Sequence, residues 1–228
     1  MGLDWNPIGK PQPGCEQEFE RLFHILTGKP KPTISIFQRL KQAFTRPDIE
    51  QAKQRFEAIQ ITPYQTIQAP RVGFDAIATQ WARDRFAEHP PPGKTLDDFL
   101  ESLHGYHVVL LSPPSDGLPV YSNGPAGYVE SFSFRAQWLV IECPDILGKQ
   151  TLKQCYESGL APDLADLGRT LRHIATAYST THSVAQAAEV RDIAAPEGSP
   201  AFKAHLLFSA AKWCEWWSSR GHGFEAYF

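Results

Sequence analysis

Residues 162–181 set the frame for this chain. Leu164, Leu167, Leu171, Ile174, Ala175 and Tyr178 recur at helical spacing over four turns, which makes one face of a long helix apolar. A face of that kind must be covered by other elements. Most of the remaining sequence supplies helices to cover it.

Phe19, Leu22, Phe23 and Leu26 predict a helix over 15–27, with Gly28 placed for a left-handed C-cap. A second helix is expected over 34–44, with Thr33 as N-cap and Ile36, Phe37, Leu40 and Phe44 inward. A third is opened by Thr45, Pro47 and Asp48 and has Ile49, Ala52, Phe56 and Ile59 inward. Residues 75–88 predict a helix with Ile77, Trp81, Ala82 and Phe86 inward, ended by the prolines at 90–92. Thr95 opens another, with Asp97 and Asp98 at its positive end, and Gly105 closes it. Ser133 is the expected cap of a short helix running through Trp138 and Ile141, which Pro144 interrupts. A helix over 145–158 follows, ended by Gly159. Ser199-Pro200 opens the last helix, which carries Phe202, Leu206, Trp213, Trp216 and Trp217 to Gly221. Residues 183–195 are Ala-rich and weakly helical, and 63–72 is ambiguous between loop and strand.

β-type residues and turn chemistry concentrate in residues 104–143. Val108–Leu111 and the shorter Leu118–Tyr121 flank Ser112-Pro-Pro-Ser-Asp-Gly117, which predicts a hairpin with a long, bulged loop. Pro119 places the second strand at an edge. The expected fold is therefore α+β and predominantly helical, with helices packed around a small antiparallel hairpin or sheet at about residues 106–122. No linker forces a division, so one globular domain over 1–228 is expected, with residues 1–14 as an extended N-terminal arm. Trp5 is expected to pack back onto the body and tie that arm down.

Composition excludes several classes of function. A net charge of −3, from 22 basic and 25 interspersed acidic residues, argues against a dedicated nucleic-acid binder. The first residues lack the basic-then-apolar pattern of a secretory leader, and no window is apolar enough to cross a membrane. Cys15, Cys143, Cys155 and Cys214 show no redox or zinc-knuckle spacing. A soluble cytoplasmic protein with reduced thiols is the expectation.

No signature of local catalytic chemistry is present. Gly124-Pro-Ala-Gly127 is too poor in glycine for a phosphate loop and lacks the following Lys-Ser/Thr, and Ser122 has Val120 where a nucleophile elbow wants glycine. Glu20 and His24 lie one turn apart but lack the further ligands of a di-metal bundle. His104 and His107 have no evident third and fourth donor, so neither a metal nor another cofactor is expected. Cys143 sits between Glu142 and Asp145, acidic neighbours that disfavour a thiolate. Arg169, Arg172 and His173 share a helix face as candidates for an acidic partner. The C-terminal tryptophans fit a core face better than an exposed patch, since the aromatic 223–228 tail can cover them.

One constellation remains. Tyr121, Asn123 and Tyr128 lie on or beside the hairpin loop, Arg135 and Trp138 begin the next helix, and His107 begins the hairpin. A helix start offers free N–H groups, and Arg135 adds a planar fork of donors suited to a carboxylate or phosphate. These residues predict a non-catalytic binding protein that recognises a protein partner or an anionic small ligand near the loop. Arg135 is alternatively paired with Glu130 or Glu142, with Trp138 in the core. The rival function is an enzyme using His107 or His104 as general base with Tyr121, Asn123 and Arg135.

Overall fold

The structure, a computed structural model, describes residues 2–28, 49–113, 133–190 and 193–228. The elements in chain order are β1 (Asp4–Pro7), β2 (Lys10–Pro11), α1 (Glu16–Thr27), α2 (Ile49–Ala58), β3 (Gln60–Ile61), α3 (Pro63–Thr66), α4 (Ala76–Glu88), α5 (Leu96–Ser102), α6 (Ala136–Glu142), α7 (Pro144–Gln154), α8 (Ala161–Thr181), α9 (Pro200–Ser218) and β4 (Phe224–Tyr227), with 3-10 turns at Val109–Leu111 and Ala185–Ala188. The helix-rich α+β class holds. The expected helix over 34–44 and the residues expected to open the next one, Thr45, Pro47 and Asp48, lie outside the described residues.

The long helix, α8, packs lengthwise on α9. Leu164, Leu167, Leu171 and Ala175 meet Leu207, Ala211, Cys214 and Trp217 in one core. Each large side chain buried there stabilises the fold by roughly 1.5–3 kcal/mol relative to leaving it exposed. Gly168 allows the close approach: a Cβ there would stand 3.0 Å from the Cys214 Cβ and 3.4 Å from the Glu215 backbone nitrogen. Arg172 closes the outer side with a two-point ion pair to Glu215, and Arg169 pairs with Asp166. Two of the three residues considered for an acidic partner are thus engaged within the fold.

The sheet lies where the sequence was read as an arm. β1 pairs antiparallel with β4, from Asp4 opposite Tyr227 to Pro7 opposite Phe224. Trp5 exchanges both backbone hydrogen bonds with Phe134 on the other edge, at 2.8 and 2.9 Å. Its side chain is completely buried among Phe134, Trp213 and Phe224, and its Nε1–H donates to the Cys155 carbonyl at 2.8 Å. Trp213 and Trp217 are likewise fully buried, so the aromatic face of α9 is core. A second, two-residue pairing joins β2 to β3.

Among the described residues, the first strand of the hairpin expected at 106–122 does not form. Val109–Leu111 makes a 3-10 turn, and His107 forms only an isolated bridge with Arg71. Val108 gives its N–H to Pro70 O, while Leu111 and Ser112 donate back to Val108 and Val109 within the turn. Leu103, Val108 and Leu111 pack on Val72, Ala78 and Ala82 in a satellite core. Residues 114–132, including the expected loop and second strand, lie outside the described residues.

Smaller departures have local causes. Residues 63–66 form one helical turn, because Thr62 and Gln65 complete a capping box. α4 buries Ala78 and Ala82 rather than Ile77, which is 59% exposed: the small side chains allow close contact with α5. Ile49 is also exposed, while Phe56 stacks on Phe19 and Ala52 is buried as expected. Thr95 and Asp98 form the capping box of α5, and Ser199 caps α9 at Phe202. Among the described residues no helix is long and apolar enough to cross a membrane.

Candidate functional site

Of the six residues the sequence selects, Tyr121, Asn123 and Tyr128 lie outside the described residues. Arg135, Trp138 and His107 are described.

Arg135 occupies the N-cap position of α6. Its Nε lies 2.5 Å from Asp4 Oδ1, and both side chains are partly buried. The partner is therefore an aspartate of β1, which stands beside Arg135 because Trp5 and Phe134 are paired. Ser133, the expected cap, instead donates to Asn6 Oδ1 at 2.6 Å. The first amides of α6 are also committed: Ala136 N donates to Phe134 O and Gln137 N to Leu3 O. The anion-binding helix start expected from the sequence thus has its first two donors used by Phe134, just before the helix, and by Leu3, just before β1.

Trp138 and Ile141 stand one turn apart on the outer face of α6, 43% and 56% exposed. The opposite face, Ala136 and Leu139, is completely buried against the main core. α6 is a short amphipathic helix whose solvent side carries two large apolar groups.

His107 is held by structure. Its Nδ1 lies 3.0 Å from Ala69 O, and because a carbonyl only accepts, Nδ1 carries the proton. Its ring stacks on Tyr64 with centroids 4.3 Å apart and planes 5° from parallel. His104 lies 5.2 Å from the Phe74 ring and directly over Gly73, where a Cβ would come within 2.3 Å of Nδ1. Gly73, at φ +83°, is required there twice, by its conformation and by this approach. His104, Thr79, Asp97 and Glu101 line an open cleft of about 290 Å³ floored by Val72, Gly73 and Leu100. Thr79 is already used, accepting from Gly73 N and donating to Asp75 O.

The thiols are structural. All four cysteines are free, and Cys143, Cys155 and Cys214 are buried. Burial pushes the Cys143 and Cys155 thiols up to about 12, with Glu142 adding to the effect at Cys143 and Lys203 opposing it. Among the described residues no group of three His, Cys, Asp or Glu side chains is placed to hold a metal ion.

The sequence reading passed over His222, the most deeply buried imidazole. Its flanking glycines, Gly221 and Gly223, were a usable signal: a Cβ at Gly223 would meet Gly159 O at 2.3 Å, so this turn is wedged into the body. No family model, curated protein or solved structure matches the chain.

Proposed function

We propose that the chain is a non-catalytic, cytoplasmic binding protein that recognises a protein partner through the outer face of α6. The observation that carries this is the exposed pair Trp138 and Ile141 on a helix whose other face is fully buried. Tryptophan is enriched at binding hot spots because it offers a large, stiff apolar surface. Covering the exposed part of that indole, on the order of 100 Å², stabilises a complex by about 2 kcal/mol. A protein partner is favoured over an anionic small ligand because Arg135 and the first α6 amides already have partners. Free cysteines support a reducing compartment.

The test is comparative capture from source-cell lysate with wild-type protein and Trp138→Ser/Ile141→Ser. Proteins retained by the wild type and lost by the variant, at equal thermal stability, support the proposal. Identical retention removes it. The rival enzymatic reading has the His104 cleft in its favour. A substrate turnover abolished by His104→Gln and unaffected by Trp138→Ser would replace binding with catalysis.

A further inference from the structure

We propose that His222 is an acid-sensitive clasp: protonating it loosens the joint that holds the turn after β1 and helix α3 against the end of α9. The imidazole is fully buried, and three segments distant in sequence meet on it. Its Nδ1 lies 2.8 Å from Ile8 O and donates to it. Nε2 lies 2.7 Å from Thr66 Oγ1, so in the neutral ring it accepts the hydroxyl proton. The ring stands edge-on to Trp217 at 5.2 Å. Ile8 N also donates to Gly223 O, and His222 N to Trp217 O, so the clasp is continuous with the backbone.

A second proton has no place in this arrangement. It converts Nε2 from acceptor to donor, so the Thr66 hydroxyl must turn and give up its bond to the ring. It also puts a charge where the neighbours are positive. Lys10 comes from the start of β2 and Arg220 from just past the end of α9, and both act against protonation. α3 contributes only Tyr64, whose ring is stacked on His107. On the β4 side, Asp163 is committed to Leu160 N and Glu225 is exposed. Burial, the largest cause, together with these cations holds His222 down at about 4, with the Ile8 bond acting in the other direction.

The clasp matters because β2 and β3 and the α1–α2 cluster join the body beside it: Ile8 packs on that cluster, and Lys10 opens β2. Acid therefore acts first at this joint, while the α8–α9 core holds no buried imidazole of its own at the α8–α9 contact.

The experiment is hydrogen exchange of the full chain at pH 7 and pH 4.5, corrected for intrinsic rates, with a histidine-ring NMR titration of the wild type. Protection at residues 8–12 and 62–67 is expected to fall by about tenfold or more at the lower pH, because the opened joint takes up a proton below the ordinary imidazole value whereas the native ring does so only near 4, while residues 204–217 keep theirs. His222→Gln, which offers a donor and an acceptor but cannot gain a charge, is expected to keep protection at both pH values. Equal loss across α9 overturns the proposal, as does the same loss in His222→Gln. If that variant does not fold, the wild type still decides: a His222 ring titrating in the ordinary range, or protection at residues 8–12 and 62–67 unchanged between pH 7 and pH 4.5, overturns it.

Discussion

Trp5 gives the sharpest quantitative test of this architecture. Its indole is completely buried, walled by the Phe134, Trp213 and Phe224 rings at centroid distances of 5.4, 5.9 and 5.7 Å. Truncating a buried Trp to Ala costs about 3–5 kcal/mol, and more where rigid neighbours prevent collapse of the cavity. Three large rings are neighbours of that kind, so the upper part of the range is expected. The Cys155 carbonyl also loses the Nε1–H donor it holds at 2.8 Å. Trp5→Phe isolates that second effect, since it keeps most of the ring contacts and leaves a buried acceptor unpaired at about 1–3 kcal/mol. Urea unfolding followed by far-UV circular dichroism should place Trp5→Phe about 2 kcal/mol below wild type and Trp5→Ala about 4–5 kcal/mol below. Domains of this kind have stabilities of about 5–15 kcal/mol, so the Ala variant sits at or near the folding threshold, and the Phe variant carries the measurement if it does not fold. A loss under about 1 kcal/mol in either variant would refute the reasoning, because the N-terminal segment would then be an accessory arm rather than a central strand.

Other outcomes follow from single contacts. Gly73→Ala combines a positive φ with a clash on His104, whereas Gly14→Ala has a similar φ, +85°, and open space around it. Gly14→Ala is expected to cost about 1–2 kcal/mol and Gly73→Ala clearly more; equal thermal shifts would show that the His104 contact is of no consequence. With thiols raised to about 12, Cys143 and Cys155 are about one part in ten thousand thiolate at pH 8, so a thiol reagent should label them only on unfolding. Because these pKa values are raised, labelling should quicken as pH rises, and rapid reaction of Cys143 in the native protein at pH 8 would contradict the burial described here.

Helices were legible wherever capping and periodicity agreed. Thr95 with Asp98, Ser199 before Pro200, Gly28 at the end of α1 and the 3.6-residue stripe of α8 are local signals, and the structure follows each of them. Strands were not legible, because their pairing is set at long range. β1 is four residues long and reads as a Pro-rich arm, and only its partners Phe134 and Phe224–Tyr227, more than a hundred residues away, make it a strand. Conversely, Val108–Leu111 has strand composition but turns: Leu111 and Ser112 bond back to Val108 and Val109, and Val108 and Leu111 pack with Ala78 and Ala82 of α4. The candidate site shows the same division. That α6 would carry Arg135 and Trp138 near its start was readable, whereas the pairing of Arg135 with Asp4 depends on β1 and was not. Ile77 and Ile49 mark the limit of periodicity, since it locates an apolar face but does not decide whether small alanines or large isoleucines meet the neighbour.

The central functional claim is that α6 presents a contact face for a protein partner, and site-specific photo-crosslinking in source cells tests it most directly. A photoreactive phenylalanine analogue at position 138 reports on the proposed face, and the same residue at position 153, where the Lys153 side chain is 80% exposed on α7, reports on ordinary surface. A discrete protein adduct from position 138 that is absent from position 153 and lost on adding Ile141→Asp is the predicted result. No adduct from position 138, or the same adducts from both positions, would contradict it.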